Sequence, residues 1–296
     1  MNNKSYLEKY NDENSEVVAS LNINKRIFMR LIGFLICSII YFVIYQISKH
    51  KGLHDIQTQF VNTFVNSIMT ISYCVSFFFI VFYVLYLSVP SFKKSFDKVR
   101  FKIKKIFFFV LDWLVILPIC ATVASFCFAF VFTFAQVDGD SMYPTVYDES
   151  TVFVSYIEKV EKYDVVVAYI TPEANLISSN EYYIKRVIGV PGDRITWING
   201  VLTINGIIID EEYLDQETKE FFKKDGKSGK QFVGDFEYKV DGVIKKCKVI
   251  PDGYYFLMGD NRTVSNDSRQ IGLVPSYNIE GVVKYEFTNS GIERVK

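Results

Sequence analysis

The chain has 296 residues, enough for one membrane region and one domain of ordinary size. Lys plus Arg and Asp plus Glu both total 33, so the formal net charge is zero and nothing points to nucleic acid as a partner. The composition is 50% hydrophobic and 17% aromatic, high for a soluble protein, because apolar residues concentrate before residue 136.

Residues 1–26 are polar, rich in Asn, Glu and Lys, and read as a weakly ordered cytoplasmic N-terminus. They lack the short basic start and small-residue cleavage site of a secretory signal peptide. A membrane region over 27–135 follows, with three apolar stretches expected to cross as helices at about 31–47, 64–89 and 106–134. Each is long enough for a hydrocarbon core of roughly 30 Å. Asp112 is the one acid in the third stretch, close enough to its start to reach the interface beside Lys104 or Lys105, with Trp113 as an interfacial aromatic.

Orientation follows from the basic residues between spans. The 91–105 segment holds Lys93, Lys94, Lys98, Arg100, Lys102, Lys104 and Lys105 against Asp97, whereas 48–59 holds only Lys49 and Lys51. The 91–105 loop is therefore expected in the cytoplasm, and everything after residue 135 outside it. Lys25, Arg26 and Arg30 agree. Cys37, Cys74, Cys120 and Cys127 lie in apolar runs and only Cys247 in the polar half, which gives no disulfide framework. No Cys/His spacing suits zinc, and neither metal nor cofactor is implied.

Residues 136–296 read as an all-β extracytoplasmic domain. Strand-like runs fall at 151–157, 165–170, 182–190, 195–198, 201–204, 207–209, 236–240, 245–250, 254–258 and 282–287. Asn199-Gly200, Asn205-Gly206 and Asp241-Gly242 are hairpin turns. The charged, Gly- and Lys-rich 215–234 segment reads as a surface loop or small insertion.

Three segments carry candidate chemistry. The first is Asp138-Gly139-Asp140-Ser141-Met142-Tyr143-Pro144-Thr145. A serine in such a turn ordinarily caps local backbone donors, but the neighbouring glycine also lets a substrate backbone come close. The second is Tyr182 to Asp193, where Lys185 and Arg186 interrupt an apolar strand. Alternation sends them to opposite faces, so one of the two bases faces an apolar side. A lysine held there loses hydration of its charged form, and its pKa falls toward that of a general base. The β domain contains no histidine for that task. The third is Gly259 to Gly272, dense in Asp, Asn, Ser, Arg and Gly. Within it Ser265 can hold an amine and Asp267 can pair with arginines.

Together these segments resemble the type I signal peptidases, membrane-bound Ser-Lys proteases. The matching pieces are Ser141-Met142-x-Pro144-Thr145, Lys185-Arg186-Val187-Ile188-Gly189-x-Pro191-Gly192-Asp193 and Gly259-Asp260-Asn261-Arg262-x-x-Ser265-x-Asp267-Ser268-Arg269-x-x-Gly272. They fall in family order, within a likeness from Val137 to about Val283. The resemblance implies a signal-peptidase-like β fold, Ser141 as nucleophile and Lys185 as general base. It implies that Ser265 orients the lysine amine, and that Asp267 pairs with Arg269 and with Arg186. The Ser141 backbone N–H would be one oxyanion donor. Gly139 stands where some members carry a second, hydroxyl donor, which leaves that donor open. Val137, Met142, Val146, Tyr183 and Ile184 fall where the family builds shallow pockets for small residues in the A-x-A pattern. Tyr163-Asp164-Val165-Val166 departs from the family's usual Gly-Asp-Val-Val.

The implied partners are signal peptides of exported preproteins, membrane lipid and the nearby translocation machinery. The implied place is the extracytoplasmic face of a bacterial cytoplasmic membrane, on a multi-pass protein. A peptidase dedicated to surface-fibre subunits, or an inactive membrane scaffold, remains open at this level.

Overall fold

The computed structural model describes residues 29–47 except 31, 34 and 45, then 59–97, positions 103, 106, 109 and 110, and then 116–225 and 232–295. The expected polar segment 1–26, His50, His54, Asp112 and Trp113 lie outside the described residues. The chain divides into two compact units, one of helices up to Ala129 and one from Phe130 onward.

In the helical unit, the described positions within 29–47 are helical. Helix α1 runs Gln59–Ser88, α2 Pro90–Asp97 and α3 Ile116–Phe130. Pro90 opens α2, where a missing N–H costs nothing. Phe92 and Phe96 of α2 pack edge-on against Phe82 of α1, with centroids 5.5 and 5.4 Å apart. Among the described residues, no helix is long and apolar enough to cross a membrane.

The third apolar stretch does not stay helical to residue 134. The helix stops at Phe130, and Phe132–Gln136 forms strand β1. The reason is pairing: β1 lies antiparallel on β2 (Thr151–Ser155), Phe132 opposite Ser155 and Gln136 opposite Thr151. Stacking of Phe132 on Phe153, with centroids 5.1 Å apart, adds aromatic contact along that ladder. An apolar run reads alike for a helix and a buried strand, and tertiary partners decide.

The remaining strands are β3 (Val165–Ile170), β4 (Glu181–Gly189), β5 (Ile195–Ile198), β6 (Val201–Ile204), β7 (Ile207–Ile208), β8 (Phe236–Val240), β9 (Val243–Cys247), β10 (Tyr254–Met258), β11 (Val274–Pro275), β12 (Ile279–Thr288) and β13 (Gly291–Arg294). One large sheet has the order β1-β2-β12-β3-β4-β10-β11, with β13 on β12; β5-β6-β7 and β8-β9 form two small ones. Every pairing is antiparallel. The three expected hairpin turns adopt positive φ at both central residues, as Asn199-Gly200 does at 50° and 75°. The 215–234 segment is not loop throughout, because Gln216–Asp225 forms helix α4, capped where Asp215 Oδ1 accepts the Thr218 N–H at 2.6 Å.

Three apolar clusters hold this unit. Val137, Met142, Val146, Val152 and Val154 pack with Val165, Val167 and Val283 on one side of the large sheet. Val166, Val187, Leu257, Ile271 and Val274 pack on the other. Trp197, Phe232, Phe236 and Phe256 fill the space beneath the small sheets. Each fully buried aliphatic side chain here contributes roughly 1.5–3 kcal/mol.

Candidate active site

Ser141 sits in the turn after β1. Val137 and Ser150 close the base of this loop, the Val137 N–H donating to the Ser150 carbonyl at 2.9 Å. Inside it, the Thr145 and Val146 N–H groups both donate to the Met142 carbonyl, at 2.9 and 3.0 Å. Buried Met142 and Val146 root the turn in the sheet's core. Among the described residues the Ser141 N–H has no internal acceptor. Gly139, at φ 92°, donates its N–H to Asp148 Oδ1 at 2.7 Å.

Lys185 comes from β4, where its backbone lies opposite Val166 of β3. Its side chain is 4% exposed. Nζ lies 2.7 Å from Ser141 Oγ and 2.8 Å from the Ile184 carbonyl oxygen. The Tyr183 ring is 5.0 Å from the amine. Burial pulls the lysine pKa from its ordinary 10.5 down to about 8, against the opposing charges of Asp267 and Asp260 and with help from Arg269. A neutral amine at this distance accepts the serine proton instead of donating.

The support loop runs from the end of β10 to α5 (Ser268–Ile271). Its first residue, Gly259, packs so tightly that a Cβ would lie 2.4 Å from the Ser141 carbonyl oxygen and 2.2 Å from Ser265 Oγ. The Asn261 N–H donates to that same carbonyl at 3.1 Å, tying loop to turn. Asp267 caps α5 and takes the Arg269 guanidinium through Nε and Nη2, both at 2.8 Å. It also accepts the Gly259 N–H at 3.1 Å. Burial raises its pKa, but these donors and the Arg269 charge outweigh burial and leave it lowered.

Three placements differ from the sequence expectation. Arg186 goes to Asp260, not to Asp267, with Nη2 and Nε 2.6 and 2.9 Å from the carboxylate. Its remaining donors reach the Tyr163 carbonyl and Thr145 Oγ1, and Thr145 itself donates to Asp260 at 2.5 Å. The Ser265 hydroxyl is buried near Asp267 without reaching hydrogen-bond geometry with the lysine amine, which is already occupied by Ser141 and Ile184. Val137, Met142 and Val146 are at most 5% exposed, so only Tyr183 and Ile184 of the five pocket residues keep open surface.

Asp260, Thr145 and Arg262 stood inside the recognised segments, but nothing local assigned them partners. Glu211 and Tyr213 lay outside every segment and turn out to contact Arg262, with Nη2 2.5 Å from Glu211 Oε1. An acidic run after a short strand carries no signal of that contact.

Residues 110–288 match the family described as signal peptidase, peptidase S26. The chain belongs to this family. The signal peptidase IB of Staphylococcus aureus (strain COL) is 34% identical over 183 residues, 60% of this chain and 89% of that protein. The signal peptidase I S of Bacillus subtilis (strain 168) is 37% identical over 185 residues, with the same two coverages. A crystal structure of a signal peptidase I from Enterococcus faecalis is 28% identical and covers 43% of this chain and 97% of its own, at a TM-score of 0.33, too low to bear on shape. As a member of the signal peptidase S26 family, this chain is a serine-type peptidase.

Proposed function

We propose that the chain removes signal peptides from exported preproteins, with Ser141 as nucleophile and Lys185 as general base. The observation that carries this reading is the buried amine, its pKa near 8, at 2.7 Å from Ser141 Oγ. Neutral Lys185 takes the serine proton as Oγ bonds to the scissile carbonyl carbon. The oxyanion so formed meets the Ser141 N–H. Lys185 then gives the proton to the leaving amine, the acyl–enzyme forms, and water activated by the same amine hydrolyses it.

The substrate lies extended beside β4. That strand is paired with β3 over Glu181–Arg186, but β10 covers only Arg186 to Gly189 on its other side. The open stretch ends at Lys185, so a bound strand runs into the dyad. Because Val137, Met142 and Val146 are already packed, a side chain entering beside Ile184 finds only a shallow recess. This favours small residues before the cut, the A-x-A pattern.

The setting is a bacterial cytoplasmic membrane, with 31–47, 64–89 and 106 to about 130 as spans, 91–105 inside, and the β unit outside near the translocation machinery. The apolar length of these stretches, charged only at Asp112, and the basic 91–105 segment support that topology. Confinement of both partners to the bilayer raises the effective substrate concentration.

The test uses the full chain in detergent or liposomes with a preprotein. Wild type is expected to cleave, and Ser141→Ala and Lys185→Ala are not. Wild-type rates from Lys185→Ala would overturn the dyad. Protease added outside intact cells is expected to reach the β unit, and protection there would reverse the topology.

A further inference from the structure

Behind Lys185 the interior holds an alternating column of guanidinium groups and aromatic rings. The Arg186 guanidinium carbon lies 4.1 Å from the Tyr213 ring centroid. That of Arg262 lies 5.9 Å from Tyr213 and 6.0 Å from Trp197, and that of Arg269 4.8 Å from Trp197. Each arginine has its own carboxylate: Asp260 for Arg186, Glu211 for Arg262 and Asp267 for Arg269. Two of these carboxylates belong to the loop after β10. Glu211 does not. It comes with Tyr213 from the segment after β7, and Trp197 comes from β5.

Glu211 is 4% exposed and is held from two sides. Arg262 Nη2 reaches it at 2.5 Å, and the Tyr213 hydroxyl donates to it at 2.7 Å. Arg262 in turn donates from Nε to the Gly259 carbonyl at 2.9 Å. Gly259 is the residue packed against the Ser141 carbonyl. The path from Glu211 to the reacting hydroxyl is therefore short and made of direct contacts.

We propose that Glu211 and Tyr213 are positioning residues for the peptidase reaction, fixing through Arg262 and Arg186 the loop and strand that hold Ser141 against Lys185. The proposal rests on Lys185 being the general base.

Two physical points favour this over packing alone. Replacing a buried ion pair by packed apolar residues is often neutral or stabilising, so stability does not account for three in a row. The column also sums to zero charge, three guanidinium groups against three carboxylates. A neutral column leaves burial to govern the lysine. The charged groups that act on Lys185 are Asp267, Asp260 and Arg269, with the Tyr183 ring and the Ser141 hydroxyl beside the amine. Those acting on Arg262 are Glu211, Tyr213 and Asp260. Removing the Glu211 charge leaves Arg262 without its carboxylate and frees the loop that Arg262 ties at Gly259.

The experiment compares wild type, Lys185→Ala, Glu211→Gln, Glu211→Asp and Tyr213→Phe as full chains in detergent, with kcat and KM measured across pH. Glu211→Gln is expected to lower kcat about tenfold with KM within about twofold, since the loop that orients Ser141 loosens without touching substrate. Glu211 is not among the groups that act on Lys185, so the ascending pH limb is expected to stay, and Glu211→Asp is expected to recover kcat. Tyr213→Phe keeps the ring and the charge, so its limb stays while kcat falls about threefold. A folded Glu211→Gln with wild-type kcat, beside an inactive Lys185→Ala, overturns the proposal and leaves the dyad standing. Activity in Lys185→Ala overturns the dyad reading itself. If Glu211→Gln does not fold, Tyr213→Phe decides: wild-type kcat overturns the proposal.

Discussion

Lys185 and Arg186 are consecutive on β4 and both sealed from solvent, at 4% and 0% exposure, yet only Arg186 has a carboxylate. Strand alternation sends them to opposite sides. Arg186 meets Asp260 with near-bidentate geometry, and its last donors find Tyr163 and Thr145. Among the described residues Lys185 makes no ion pair; its amine meets Ser141 Oγ, the Ile184 carbonyl and the Tyr183 ring. The same strand thus keeps one base charged and pushes its neighbour toward neutrality. A general base for a hydroxyl needs the second condition, and the first holds the strand that carries it.

Activity should follow the neutral fraction of Lys185. The amine loses its proton as pH rises through about 8, so kcat/KM should climb through the same range and level off above it. Initial cleavage rates at low substrate, taken from about pH 6 to about pH 10, report this limb. A limb centred near the ordinary lysine value would mean that the amine is not desolvated in the working enzyme.

Burying Lys185 costs stability, and the sign follows from its pKa. The folded value, about 8, lies below the ordinary 10.5, so the folded state resists the proton. The penalty is complete below about pH 8 and fades as pH rises toward 10.5. Lys185→Met keeps the length without the charge. It should be inactive yet more stable than wild type by about 1–3 kcal/mol near neutral pH. The gap should close as pH approaches the ordinary lysine value. Urea midpoints at two pH values check both statements, and a variant less stable than wild type at neutral pH would sink the account.

Gly259→Ala tests the close approach of loop and turn. The added methyl has backbone on one side, the Ser141 carbonyl at 2.4 Å, so a rotamer change cannot relieve it. Either the loop or the serine turn must move. Because a shift near 1 Å at a reacting group costs about a hundredfold, cleavage should fall by that order. KM should change far less, as the open edge of β4 is untouched. Near-normal kcat would show that the turn and loop move together without changing the Ser141–Lys185 distance.

Much of this arrangement was legible in the sequence, and what was not has a common cause. Asn199-Gly200, Asn205-Gly206 and Asp241-Gly242 declared their hairpins because a type I′ turn needs positive φ from those residues. Lys185 stood out because a base inside an apolar strand run has few places to go, and Ser141 does lie within hydrogen-bond reach of it. Partner choice was not legible. Asp260 and Asp267 are both loop carboxylates near arginines, and only the path of the loop gives Arg186 to one and Arg269 to the other. Glu211 was invisible for the same reason, since its partner lies 51 residues away. Phe132–Phe134 fall inside the stretch expected to be helical because their strand partners, Ser155, Val154 and Phe153, come from later in the chain.

Asp267→Asn separates the electrostatic part of the loop from its architecture. Asn keeps the size and one acceptor, which can serve either the α5 cap, made on Oδ1, or the Gly259 N–H, met by Oδ2, but not both. The Arg269 guanidinium, 1% exposed, loses its carboxylate, and an uncompensated buried charge costs about 3–5 kcal/mol. The lysine moves as well. The Asp267 charge favours protonated Lys185, so its removal lowers the lysine pKa further and should shift the activity limb to lower pH. The variant should therefore unfold earlier and show a lower kcat from a loosened loop, while its base is neutral over a wider range. Guanidinium unfolding and a pH–rate profile on the same preparation read the two effects independently. A destabilised variant with an unmoved limb would mean that Asp267 supports the loop but does not act on the charge of Lys185.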